Sequence, residues 1–212
     1  MKQFLNKFMI IFIFLLSLLF ILFCATFYSK ELTNNISNKL LRIHVIANSD
    51  IEADQELKIK VKNSILNYLK TLNIEDISKN NTIQLLKENK HNIELIAQKT
   101  IYENNFNYPV SIEFTKYNSH KKESKNISIP SGIYDSLIIK IGKAAGHNWW
   151  SIIYPSLCFT DINSNNFKNE TDSLKNILSN EEYNLILNNS SKKIFKFKII
   201  DFIENIINSN KK

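Results

Sequence analysis

The chain has 212 residues, with 27 Lys and Arg against 20 Asp and Glu, a formal net charge of +7, and only 3 glycines, 3 prolines and 2 cysteines. That length is enough for one domain with a core of its own. The charges are dispersed, without the basic stripe that nucleic-acid binding calls for.

The N-terminus comes first. Lys2 and Lys7 precede a run from Phe8 to Ser29 that carries no charge and is mostly Ile, Leu and Phe. Such a run suffices for a secretory signal and matches the ~20 residues needed to cross a bilayer. The lysines ahead of it favour an N-in, C-out orientation. Cys24 and Thr26 match a signal-peptidase site poorly, so residues 1–29 read either as a signal peptide or as an uncleaved anchor. Bulky Phe23 argues against lipid modification of Cys24. From Lys30 onward the chain is expected to work outside the cytoplasm. Setting aside Lys2 and Lys7, with no acidic residue before Glu31, leaves +5 on that part. An anionic membrane surface or cell-wall polymer suits this mild excess. Cys158 is the one cysteine of the exported part, so no disulfide forms within it, and its neighbours Leu157 and Phe159 favour burial.

Residues 30–39 read as a polar tether. Leu40 to Ile46 is apolar and β-branched, a first strand with Arg42 and His44 on one face and Leu41, Ile43 and Val45 on the other. Ser49 with Glu52 three residues on predicts a capping box. Ala53, Leu57, Val61, Ile65 and Leu69 then recur every four residues, predicting an amphipathic helix from about Asp50 to Leu72. Its polar face is expected to carry Glu52, Asp54, Gln55, Glu56, Lys58, Lys60 and Lys62. After a connector from Asn73 to Asn81, Asn81 and Gln84 open a second helix running to about Glu103. Tyr108 to Tyr117 alternates as a strand with one wet face, and Asn118 to Asn126 is a polar hairpin loop.

Ser131 to Asp161 is the most distinctive stretch. It holds all three glycines (Gly132, Gly142, Gly146), both tryptophans and Cys158. Leu137, Ile139 and Ile141 alternate with Ile138 and Lys140 as in a strand. Gly142 and Gly146 bracket a loop, and Trp149 to Phe159 forms a second apolar segment broken by Pro155. Two readings stand: a hairpin-like core piece, or a recognition surface made by Gly146, His147, Asn148, Trp149 and Trp150 on a loop held by rigid strands. The glycine spacing is neither a P-loop nor a dinucleotide fingerprint. Beyond it, Asp172 to Leu178 and Glu181 to Leu187 suggest short helices, and Lys193 to Ile207 a terminal helix on the sheet. The element order predicts an α+β domain over residues 40–207, with a small, mostly antiparallel sheet, helices packed on one face, and a polar tail at 208–212.

Catalytic patterns are weak. His44, His91, His120 and His147 form no close ligand pair, and no G-x-S-x-G elbow is present. A metal site from His44, Asp50 and His147, or a Cys158–His147 nucleophile pair, requires distant segments to meet. No catalytic set, metal or cofactor is expected, nor a small-molecule substrate or nucleic-acid partner.

Two segments carry a resemblance. R-I-H-V-I-A-N-S-D (Arg42 to Asp50), followed by D-Q-E-L-K-I-K-V-K (Asp54 to Lys62), and G-I-Y-D-S-L-I-I-K-I-G-K-A-A-G-H-N-W-W-S-I-I-Y-P-S-L-C-F later on, resemble the stage II sporulation protein R family of endospore-forming Firmicutes. The likeness runs from about Leu40 to Ile203. It implies a signal exported from the forespore into the space between forespore and mother-cell membranes. There the family triggers a membrane-embedded aspartic-type protease of the mother cell, which processes the precursor of an early sigma factor. It further implies that Asn48, Ser49, Asp50, Asp54, Gln55, Asn148, Trp149 and Trp150, beside His147, form the partner-binding surface. Residues 8–29 would hold the membrane if uncleaved. The family commonly has cysteine after the tryptophan pair where this chain has Ser151, so a bridge to the position of Cys158 is absent here and Cys158 is expected to be dispensable. The competing readings are an envelope hydrolase or metal-dependent enzyme, and a basic cell-wall-binding protein.

Overall fold

A computed structural model describes residues 2–74, 77–123, 127–155 and 173–187. Its first element is α1 (Lys2–Lys39), one unbroken helix of 38 residues, about 57 Å long at 1.5 Å per residue. Its apolar side chains are exposed from Phe8 to Phe27, as expected of a helix long and apolar enough to cross a membrane. The segment expected as a tether is the last part of this helix. Ile36 and Leu40 are fully buried, and Lys39 reaches the Glu182 carboxylate at 2.6 Å. Apolar spacing of four residues turns one side of the helix end onto the domain, so the junction is packed rather than loose.

The sheet has the order β2-β5-β1-β6. β1 (Leu41–Ile46) lies inside it, parallel to β5 (Gly132–Ile141) and antiparallel to β6 (Asn148–Tyr154), while β2 (Val110–Ser119) pairs antiparallel with β5. A small second ladder joins β3 (Lys122–Glu123), inside the stretch expected as a hairpin loop, to β4 (Ser128–Ile129), just beyond it. β5 and β6 are neighbours in sequence but not in the sheet, because β1 lies between them. The hairpin-like reading of that stretch is therefore replaced by a crossing over the end of β1.

Alternation divides the strands as expected. Leu41, Ile43, Val45, Val110, Ile112, Leu137, Ile139 and Ile141 join one core with the helices α2 (Glu52–Thr71), α3 (Lys79–Glu88) and α4 (Lys90–Glu103). Strand residues of opposite parity face a second core. There Tyr134 and Ile152 meet Ile36 of α1, Leu40 just after it, Ile127 and Ile129, Leu174 and Leu178, and Ile186 of α5 (Asn180–Ile186). Helices thus cover both faces, not one.

Several helix starts differ from expectation. The N-cap of α2 is Ile51, without a side-chain cap, because Ser49 turns its hydroxyl to Asp54 instead. Asp54 and Lys58, expected on the wet face of α2, are buried. The second expected helix is two, α3 and α4, meeting at Asn89. Ser78, not Asn81, caps α3, its hydroxyl accepting from the Asn81 N–H. A full capping box forms at Ser179 and Glu182 ahead of α5. Cys158 and the expected terminal helix at 193–207 lie outside the described residues, as does the tail at 208–212.

Candidate functional site

The crossing from β5 to β6 passes over the C-terminal end of β1 and grips the residues that follow it. Gly146 N–H donates to the Ala47 carbonyl (3.0 Å) and Ala145 N–H to that of Asn48 (3.1 Å). The Asn48 side chain accepts from the Lys143 N–H at 3.0 Å and donates to Asp54 Oδ2 at 2.8 Å. Gly146 is required here. A Cβ on it would sit 2.2 Å from the Ser49 carbonyl oxygen, far inside van der Waals contact. Gly142 turns the chain at φ +57° against Asn48, a conformation that favours glycine.

Asp54 anchors the segment between β1 and α2. Its Oδ2 accepts from Ser49 Oγ at 2.6 Å and from Asn48. Burial pushes its carboxyl up, but hydrogen bonds from Ser49, Asn48 and Tyr108 outweigh this and hold it below the ordinary carboxylate value. Gln55 donates to the Ser49 carbonyl at 2.8 Å. Lys58, absent from the expected site, donates to Gln55 Oε1 (2.5 Å) and to the His147 carbonyl (3.1 Å). Its alternation at the Asp54 position plus four, one turn along α2, is the signal that it shares the buried side.

Asp50 and His147 close the junction on its outer side. Asp50 Oδ1 accepts from the His147 backbone N–H at 2.5 Å, and the ring Nδ1 lies 2.5 Å from the same oxygen. A carboxylate only accepts, so Nδ1 carries the proton of that contact. The backbone donor first and the ring second hold the Asp50 carboxyl below its usual value. Both side chains stay open to solvent, His147 at 79% and Asp50 at 53%.

Asn148, Trp149 and Trp150 belong to the start of β6, not to the loop. Their side chains alternate across the sheet. Trp149 lies on the first core, its ring 5.1 Å beneath the Lys62 ammonium. Trp150 lies on the second face, 4.7 Å from the Arg42 guanidinium. Asn148 is on that face too, its Nδ2 at 2.8 Å from His44 Nδ1. The structure therefore joins Asn48, Ser49, Asp50, Asp54, Gln55 and His147 in one network, while the tryptophans lie on opposite faces of the sheet beside it. Among the described residues no three His, Cys, Asp or Glu side chains are grouped to hold a metal, and His44 faces Asn148 while Asp50 faces His147.

Residues 37–164 match the family described as stage II sporulation protein R. The chain belongs to this family. Over 129 residues it is 28% identical to Stage II sporulation protein R of Bacillus subtilis (strain 168), covering 61% of this chain and 58% of that protein. The chain thus spans less than two thirds of that relative's length. No solved structure matches. Every residue of the network just described falls inside the matched range, from Ala47 to Trp150. The likeness expected to reach Ile203 extends beyond it. Membership supports a role in sporulation signalling, and α1 is compatible with export or membrane anchoring.

Proposed function

We propose that the protein is an exported sporulation signal that acts by binding rather than by catalysis. Its partner is a membrane-embedded, aspartic-type receptor protease of the mother cell, and engagement leads to processing of an early sigma-factor precursor. The site of action is the space between forespore and mother-cell membranes.

Family membership supports this reading, and one feature of the fold carries it. β1 leaves the end of α1 and runs six residues to the Asn48–Asp50 junction, about 20 Å at ~3.3 Å per residue. β5 runs parallel to it, from Gly132 beside Thr33 and Ser37 of α1 to Gly142 beside Asn48. The Asp50–His147 pair consequently sits at the sheet end remote from the membrane helix. If α1 is anchored in one bilayer, that end is presented to whatever lies across from it. Asn48, Ser49 and Asp54 Oδ2 turn inward to one another, while Asp50, His147 and Ile51 are exposed on the outer side of the junction.

The test is complementation of a sporulating strain lacking the gene. The full chain is expected to restore precursor processing, and removal of residues 1–29 to abolish it. Asp50→Ala with His147→Ala is expected to abolish processing while the protein remains exported and folded. Full processing with the double variant would reject this surface. Processing that never depended on the gene would reject the function.

A further inference from the structure

β2 is an edge strand that the proposed function does not use. It pairs with β5 alone, in an unbroken register from Val110 opposite Ile141 to Ser119 opposite Gly132. Among the described residues no further strand joins its outer side. Every second residue therefore turns its N–H and C=O away from β5, without a partner in the sheet. Natural edges are commonly kept short or broken by a bulge; this one is ten residues long and regular. Beside it lies a cleft of about 190 Å³. Leu41, Ile83 and Phe114 give the cleft an apolar lining, and Lys87 of α3 and Lys116 of β2 are its exposed cations. It sits at the sheet end where β1 begins, with Leu41 level with Asp135, remote from Asp50 and His147.

Neither lysine has an anionic partner among the described residues. Asp135, opposite Lys116 on β5, gives its Oδ2 to Lys79 at 2.7 Å. Lys79 also donates to the Asn38 carbonyl near the end of α1 at 2.6 Å. Glu88, next to Lys87, accepts from Gln84 at 3.0 Å. Glu113 lies on the other face of β2 and pairs with Lys140 at 2.8 Å. Parity then decides what fits against this edge. An antiparallel strand sets residues of the same face opposite one another. A second copy of β2 would bring only Val110, Ile112, Phe114, Lys116 or Asn118 to Lys116, because Glu113 turns the other way. No acid reaches the lysines by that route. An edge lysine guards the strand against copies of itself and selects an acidic one.

We propose that the outer edge of β2 is a docking site for an extended, acidic segment of a partner protein, added to the sheet as an antiparallel strand. Main-chain hydrogen bonds to the edge supply affinity, and side chains on the cleft side supply selection. An apolar side chain opposite Phe114 packs at the cleft, and carboxylates on either side of it meet Lys116 and Lys87. The contact is separate from the Asp50–His147 surface and does not rest on the reading of that surface.

The probe is a fluorescein-labelled peptide, Thr-Glu-Thr-Ile-Thr-Glu-Thr, whose glutamates and isoleucine share one face of a strand. Fluorescence anisotropy measures its binding to the full chain in uncharged detergent micelles, and amide exchange locates it. Saturable binding is expected, with slower exchange along Val110–Ser119. Lys87→Glu with Lys116→Glu weakens binding by about tenfold or more, Lys87→Arg with Lys116→Arg retains it, and Lys99→Glu, on α4 outside the cleft, leaves it unchanged. Both cleft lysines are exposed, so the double variants are expected to keep the wild-type unfolding midpoint. Absence of saturable binding overturns the proposal, as does binding that the double Glu variant does not weaken. Equal binding of Thr-Lys-Thr-Ile-Thr-Lys-Thr overturns it too. Displacement by sodium acetate at the same carboxylate concentration, without protection of β2, reduces the cleft to a small-anion site and overturns strand addition. A concentration-dependent oligomer that protects β2 without peptide overturns it in favour of a second copy.

Discussion

Gly146→Ala tests whether the two segments interlock as described. The added Cβ would lie 2.2 Å from the Ser49 carbonyl oxygen and 2.5 Å from its carbon. Both are backbone atoms, so no side-chain rotation relieves the clash and the crossing loop must lift by an ångström or more. That movement strains the Gly146–Ala47 and Ala145–Asn48 hydrogen bonds and the contact between Asp50 and the His147 N–H. Overpacking costs about 1–3 kcal/mol, and each hydrogen bond lost adds about 0.5–1.5 kcal/mol. Relaxation keeps these from adding in full, so a loss of roughly 2–4 kcal/mol is expected. Gly132→Ala is the internal control. Its nearest neighbour would be 3.4 Å away, an ordinary contact, and about 0.5 kcal/mol or less is expected. Urea unfolding of the full chain in micelles, followed by tryptophan fluorescence, measures both, since Trp149 and Trp150 flank the loop on β6. If Gly146→Ala were as stable as Gly132→Ala, the loop would not grip the β1 end, and the site built on that grip would fall with it.

Further outcomes follow from the same geometry. His44 has a folded pKa lowered from 6.5 to about 4, so the unfolded state binds the extra proton between those values and stability falls as pH drops through that window. The shift corresponds to about 3 kcal/mol at most; pH-dependent urea titrations should show a slope that His44→Gln lacks. Asp54 has a folded pKa below 3.8, so its contribution is present above that value and lost as pH falls through the lower folded one. Asp54→Asn should remove this acid limb and loosen the Asn48–Ser49 junction, seen as faster amide exchange there. Ile36→Asp, at a fully buried position of α1, should destabilise the domain by about 3 kcal/mol or more. A neutral result in thermal unfolding would restore the tether reading.

Much of the sheet was legible because strand parity needs only the local sequence. Leu41, Ile43 and Val45 against Arg42 and His44 separated correctly, and so did Leu137, Ile139 and Ile141. Strand neighbours were not legible, since nothing local says that β1 inserts between β5 and β6. The capping box at Ser49 failed for a related reason. Ser49 and Asp50 had local partners available, but Asp54 and His147 compete for the same atoms and win once the loop closes over them. Residues 30–39 misled because polar composition hides Leu32 and Ile36, which with Leu40 are spaced to reach the second core. The candidate site was recognisable as two segments, yet its division was not: Trp149 and Trp150 are adjacent in sequence, and strand pleating sends them to opposite faces.

That division bears on how the surface works. A chain with three glycines places two of them where the crossing loop turns against Asn48 and packs against Ser49. Tight packing there leaves the backbone little freedom, and Lys58 and Asp54 lock it from beneath. Asp50 and His147 are consequently exposed side chains on a rigid mount, the arrangement that limits the ordering entropy lost on binding. The tryptophans contribute at one remove, each fixing one face of β6 under a cation, Lys62 for Trp149 and Arg42 for Trp150. Substituting a tryptophan should therefore disturb signalling together with stability, whereas substituting Asp50 and His147 should abolish signalling while lowering stability by no more than the one hydrogen bond from the His147 N–H, about 0.5–1.5 kcal/mol. Parallel measurement of precursor processing and unfolding midpoint separates the two, and a tryptophan variant that lost signalling at full stability would move the contact surface onto β6.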